Sequence, residues 1–170
     1  VNGAAKVVRT GPGALGEGPT APGDDSLHIT AALEDGGACI AAGRDIAADF
    51  LTRARAVHGV PVTARTVDLT RLVVSELVTN ARKYAPGPVL LEVRVGEGVV
   101  EVNVWDTDPV LPVARTADPG RVGRHGLEIV LAVAREFDAR REPVGKRVTA
   151  RIALEEDPVP PGGTSADRPR

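Results

Sequence analysis

Between residues 26 and 33 (SLHITAAL) apolar and polar positions alternate, which predicts a strand. From about Ala38 to His58 the apolar residues Ile46, Phe50, Leu51, Ala54 and Val57 recur at helical spacing. Gly59 ends that predicted helix and Pro61 keeps it from resuming. A second helix is predicted to start after Asp68, which can serve as its N-cap, and to run to about Ala85, where Pro86-Gly87 stops it. Residues 88–96 (PVLLEVRVG) and 99–106 (VVEVNVWD) alternate again and are joined by Gly96-Glu97-Gly98, the pattern of a hairpin. Residues 107–124 form a long loop rich in Pro, Asp and Gly, and loops of that length in compact domains are usually functional. A third helix is expected over about 125–137 (HGLEIVLAVAREF), then strands over about 139–143 and 147–154, turning at Val144-Gly145-Lys146. Helices mixed with hairpins in this order predict an α+β two-layer sandwich, a mixed β-sheet with all three helices on one face. Residues 1–25 and 156–170 are rich in Gly, Pro and Ala or Asp and are expected to be disordered tails, leaving one domain over 26–155.

The second helix carries polar groups where they are not needed for solvation. Arg71, Ser75, Thr79 and Arg82 share one sector of the wheel and make a natural solvent face, while Val74, Val78, Ala81 and Ala85 lie opposite. Glu76, Asn80 and Lys83 fall on a third sector at i, i+4, i+7, together with Leu69, Leu72 and Val73. A solvated polar pair is the ordinary reading of such a trio. Here a better solvent face already exists, and a carboxylate, an amide and an ammonium beside apolar residues need partners. A metal–phosphate ligand supplies them: Asn offers a neutral oxygen to the ion, Lys offers charge to a phosphate, and Glu can take a proton.

Composition narrows the choice of ligand. The 170 residues carry a formal charge of −2 and only 2% aromatics, which gives neither the basic patch nor the stacking platform of a nucleic-acid binder. One cysteine, Cys39, precludes an internal disulfide and fits a reducing compartment. No apolar run approaches a membrane span and residues 1–25 lack a signal-peptide pattern, so a cytoplasmic protein without membrane or nucleic-acid partners is expected. Asp106 closes a strand directly after Trp105, an odd place for a core carboxylate although a common one for a turn. Gly123-Arg124-His125-Gly126 opens the third helix, and a glycine-rich helix entry presents backbone N–H groups to an anion. His28 and His58 have no partners in the sequence.

Together these segments resemble the GHKL superfamily of ATP-binding domains, the histidine-kinase-like ATPases. ELVTNARKYA (76–85) resembles the N-box, VWDTDP (104–109) sits where the first glycine box lies, GRHGLEIV (123–130) resembles the second, and GKRVTARI (145–152) sits at the last box. Compact length and the phrase LVVSELVTNA resemble the bacterial anti-sigma-factor serine/threonine-protein kinases in particular. The resemblance implies a Bergerat-type fold with ATP and Mg2+ as cofactors. It implies Asn80 as the metal ligand, Glu76 as general base, and Asp106 as acceptor for the adenine amino group. Lys83 and Tyr84 would contact phosphate and adenine, and Gly123, Arg124, His125, Gly126 and Leu127 would cover the phosphates. Thr149, two residues after Arg147, is the candidate in the last box. The first box, usually D-x-G-x-G, reads Asp106-Thr107-Asp108-Pro109 here and lacks both glycines.

Several functions are compatible with this reading. An anti-sigma factor would transfer the ATP γ-phosphate to a serine of an antagonist protein, with a sigma factor and that antagonist as partners. A binding module would use ATP only to alter a partner surface. A histidine-kinase ATP domain would need a phosphoacceptor helix pair from elsewhere, and a degenerate scaffold would have little use for both Glu76 and Asn80. Homodimerisation is left open.

Overall fold

The computed structural model describes residues 5–12, 27–34, 36–85, 87–112 and 126–154. In chain order these form β1 (Ala5–Pro12), β2 (Leu27–Leu33), α1 (Cys39–His58), α2 (Ala64–Tyr84), β3 (Val89–Gly96), β4 (Val99–Asp106), α3 (Gly126–Val133), β5 (Glu136–Arg141) and β6 (Lys146–Ala153). The strands make one six-stranded sheet in the order β1-β2-β3-β4-β6-β5.

The expected α+β sandwich is present, with one correction: every described strand pair is antiparallel, so the sheet is not mixed. The cause is the pairing of α1 with α2. A single crossover helix would return the chain parallel to β2, whereas two helices of 20 and 21 residues bring it back to run the other way as β3. The residues that pair across the sheet then put one apolar stripe on one face: Ile29, Ala31 and Leu33, then Leu91 and Val93, then Val102 and Val104, then Val148, Ala150 and Ile152. These pack against Phe50, Leu51, Ala54, Val74, Leu77, Val78 and Ala81 of the long helices in one core. With so few aromatics, β-branched and leucine side chains fill the space between the layers.

Three element boundaries differ from expectation. Ala5–Pro12 forms an edge strand antiparallel to β2, with a register slip between Val7 and Arg9, where a disordered tail was expected. The β-branched pair Val7-Val8 gives that stretch a strand preference that its Gly/Pro-rich surroundings mask. The second helix starts at Ala64, capped by Thr63, whose side chain accepts a hydrogen bond from the Thr66 N–H at 3.1 Å. Thr63 and Thr66 also share a hydroxyl bond at 2.9 Å, so Asp68 is an exposed residue of the first turns and not the cap. The third helix stops at Val133, and the residues from Glu136 pair with β6. The remainder of 1–25, residues 113–125 and the segment from 155 onward lie outside the described residues.

The face of the sheet away from the helices is closed by its own polar side chains. Asn103 donates to Glu92 at 3.2 Å and to Glu101 at 2.8 Å, and accepts from the Thr149 hydroxyl at 2.6 Å. Arg94 bonds Glu92 at 2.7 Å, and Arg151 bridges Glu101 at 2.7 Å and Glu136 at 2.6 Å. Burial alone would push the Glu101 carboxyl up. The hydrogen bonds from Asn103 and Arg151, with the charges of Arg151 and Arg94, outweigh that and hold it below the usual carboxylate range. No helix among the described residues is long and apolar enough to cross a membrane.

Candidate nucleotide site

The topology gathers the chemistry at one end of the sheet. Only residues 85–88 separate the C-terminus of α2 from the start of β3, and Arg82 pins the junction by donating to the Gly87 carbonyl at 2.8 Å. Leu90, near the start of β3, pairs with Trp105, and Asp106 pairs with Lys146. The last turns of α2, the end of β4 and the start of β6 therefore share one edge of the molecule. Asn80 and Asp106, far apart in sequence, are brought to the same end.

Glu76 and Asn80 lie one helical turn apart on α2, both half-buried. The carboxylate of Glu76 lies directly against the Cα of Gly126, the first residue of α3: a β-carbon there would overlap Glu76 Oε2 and stand 3.2 Å from its Cδ. A side chain at 126 would have to displace that carboxylate, and the contact joins the second glycine-rich segment to the polar sector of α2. Lys83 and Tyr84 are exposed at the end of α2, with the ammonium 5.4 Å from the Tyr84 ring centroid. Leu127 follows Gly126 on α3 and is half-buried. Gly123, Arg124 and His125 lie outside the described residues.

Asp106 is buried on the helix-facing side of β4, in line with Val102 and Val104. Its Oδ1 accepts from the Lys146 ammonium at 2.9 Å and from the Asp108 backbone N–H at 2.9 Å. Lys146, only 3% exposed, also donates to the Asp108 carboxylate at 3.1 Å and to the Asp108 carbonyl at 3.0 Å. The Val110 N–H first, and then the Lys146 ammonium, hold the Asp108 carboxyl below its ordinary value. Removing one member of a buried pair such as Asp106–Lys146 typically costs about 3–5 kcal/mol, because the other charge is left uncompensated.

The β5–β6 hairpin presses this turn into place. Arg141 donates to the Pro109 carbonyl at 3.2 Å. Gly145 has φ +75°, and an added β-carbon would overlap the Asp106 carbonyl oxygen and stand 2.7 Å from Thr107 Cα. Both the conformation and the contact exclude a side chain. Gly145→Ala should therefore destabilise the fold by about 2–4 kcal/mol, read as a lowered midpoint in urea unfolding, with the loss concentrated where the hairpin meets β4. An unchanged midpoint would show that the hairpin can lift off Asp106 without cost.

Two outcomes depart from the sequence expectations. Thr149 does not join this end of the sheet: it lies on the opposite face from Val148 and Ala150 and donates to Asn103. Strand periodicity fixes this, since positions 147, 149 and 151 all face away from the helices. Conversely, Lys146, Gly145 and Asp108 belong to the site although none is a candidate from sequence. The signal for Lys146 was a lysine opening a strand after a glycine turn, with an unexplained buried carboxylate elsewhere.

The arrangement fits a Mg-nucleotide. The Asn80 amide, half-buried, makes no hydrogen bond among the described residues. Among those residues no three His, Cys, Asp or Glu gather as a metal cage, so a divalent ion here would share its coordination with phosphate oxygens. The missing β-carbon at Gly126 lets the Glu76 carboxylate lie against the backbone where α3 begins.

The comparisons with known proteins agree with this geometry. The sequence model of the family described as Histidine kinase-like ATPase domain matches residues 41–152, from α1 to the last strand. No curated protein matches the chain.

Proposed function

The chain belongs to the histidine kinase-like ATPase family, and from that premise we propose that it is an anti-sigma factor with serine-protein kinase activity, binding ATP with Mg2+ and phosphorylating an antagonist protein. The observation that supports this best is the contact of Glu76 with Gly126 at the end of the sheet that also holds Asn80 and Asp106. A carboxylate held at the entry to α3, one helical turn from an uncommitted amide, is placed to serve phosphoryl transfer and not only binding.

In this reading Asn80 ligates the metal, Lys83 meets a phosphate, Tyr84 lies against the base, and Asp106 accepts from the adenine amino group. Gly123, Arg124, His125, Gly126 and Leu127 cover the phosphates. Mg2+, when bound, neutralises charge on the phosphate oxygens. Glu76 accepts the proton of the attacking serine hydroxyl. Binding of a sigma factor and of a serine-bearing antagonist would make the protein a regulator of transcription.

A second reading is a nucleotide-dependent binding module without transfer. It is favoured by the absence of both glycines after Asp106 and by the engagement of one Asp106 oxygen with Lys146. Incubation with γ-labelled ATP, Mg2+ and candidate antagonist proteins separates the two. Label on an antagonist serine supports the kinase; nucleotide-dependent sigma-factor binding with no label on any antagonist establishes the module instead.

A further inference from the structure

We propose that Lys146 is a positioning residue for nucleobase selection: it holds the buried Asp106 carboxylate so that one oxygen is spent on the protein and the other is left to accept from an exocyclic amino group. The inference rests on the reading of Asp106 as the base-contacting residue and extends it to Lys146, which lies in the last box but has no role assigned there.

The geometry carries it. Oδ1 of Asp106 is doubly occupied, by Lys146 at 2.9 Å and by the Asp108 N–H at 2.9 Å. Among the described residues Oδ2 makes no hydrogen bond, and a carboxylate has acceptor sites for more than Oδ1 takes. A carboxylate this deeply buried needs a counter-charge, and Lys146 is the cation that touches it. Lys146 also donates to Asp108 at both its carboxylate and its carbonyl, which directs the ammonium toward the turn.

The same three residues explain how the turn after β4 holds its shape without the usual glycines. The Asp108 N–H returns to the Asp106 side chain, the Val110 N–H returns to the Asp108 side chain at 3.1 Å, and Lys146 ties both carboxylates together. A side-chain clamp stands where a glycine backbone would otherwise approach the nucleotide. The acceptor direction is then set from β6, outside the 104–109 segment that carries Asp106.

The test is the ratio of ATP to inosine triphosphate affinity, measured by calorimetry with Mg2+. Inosine presents a carbonyl where adenine presents an amino group, so the wild type should favour ATP by about 10- to 100-fold, the range expected when a charged acceptor loses its donor. Lys146→Met should bring the two affinities to within about threefold of each other, because the released carboxylate can turn to either base edge. Arg151→Met, which removes a cation from the opposite face of β6, should keep the ATP preference. A Lys146 with only a structural role would lower the unfolding midpoint and leave the ratio unchanged, and that result overturns the proposal. A collapse of the ratio in Arg151→Met as complete as in Lys146→Met also overturns it, by tracing the loss to β6 as a whole and not to Lys146. A wild type that binds both nucleotides equally refutes the role of Asp106 itself, a different failure from an unchanged Lys146 variant. Wild-type NMR carries the same test should Lys146→Met not fold: the Asp106 carboxylate carbon should shift on adding ATP and not inosine triphosphate, while the Lys146 side-chain amine signal stays in place. Equal shifts with both nucleotides overturn the proposal.

Discussion

Asn80→Ala should abolish Mg-dependent ATP binding while leaving the protein folded. Asn80 sits one turn beyond Glu76 on α2, half-buried, with no hydrogen bond to another described residue. Its removal therefore orphans no partner, and alanine is the better helix former, so the unfolding midpoint should hold or rise slightly. The ligand side is different. Without the amide oxygen the protein loses its bridge to the ion, and with it several kcal/mol of binding, a loss of roughly 100-fold or more in affinity. Calorimetry with and without Mg2+ reads this directly. In the wild type, magnesium should tighten ATP binding; in Asn80→Ala it should make no difference. A variant that still responds to magnesium would remove Asn80 as the ligand and shift attention to the carboxylate of Glu76.

On the proposed kinase reading, Glu76→Gln should leave Mg-ATP binding and sigma-factor binding near wild type, yet slow phosphotransfer to the antagonist by about 10²–10⁴-fold, the usual contribution of a positioned general base. Glutamine keeps the length and shape that rest on Gly126 but cannot take a proton. The separation of binding from turnover is the diagnostic, because a disturbed α2–α3 contact would weaken both together. Single-turnover transfer from labelled ATP, compared with affinity measured in parallel, makes the distinction. Equal rates in the two proteins would mean the carboxylate serves only to seat α3.

Much of the fold was legible because its periodicities are long. α1 and the β3–β4 hairpin lie where the spacing of Phe50, Leu51 and Ala54 and the alternation of VVEVNVWD put them. The start of α2 was hidden by competition between two caps. Asp68 stands before an apolar run, but Thr63 comes directly after the break at Pro61 and its hydroxyl reaches the Thr66 N–H. α3 was overextended because an apolar run such as IVLAVA reads equally as helix or strand entry, and pairing of Glu136 with Arg151 across β6 decides against continuing the helix. The α2 constellation could be read from i, i+4, i+7 spacing alone. Lys146 could not be found that way: it meets Asp106 across 40 positions, and only the β4–β6 register brings them side by side.

That register makes inheritance of the site collective. Asp106, Asp108, Gly145 and Lys146 occupy two distant stretches of the chain, yet each makes sense only in the presence of the others. A lineage that exchanged Lys146 first would strand a buried negative charge, one that exchanged Asp106 first would strand a positive one, and one that gave Gly145 a side chain would drive the hairpin off β4. A first change at 106, 145 or 146 therefore carries a cost in stability that only a second, matching change removes. The corner is therefore open to paired changes, whereas the exposed residues of α1, which touch none of these groups, can be exchanged one at a time.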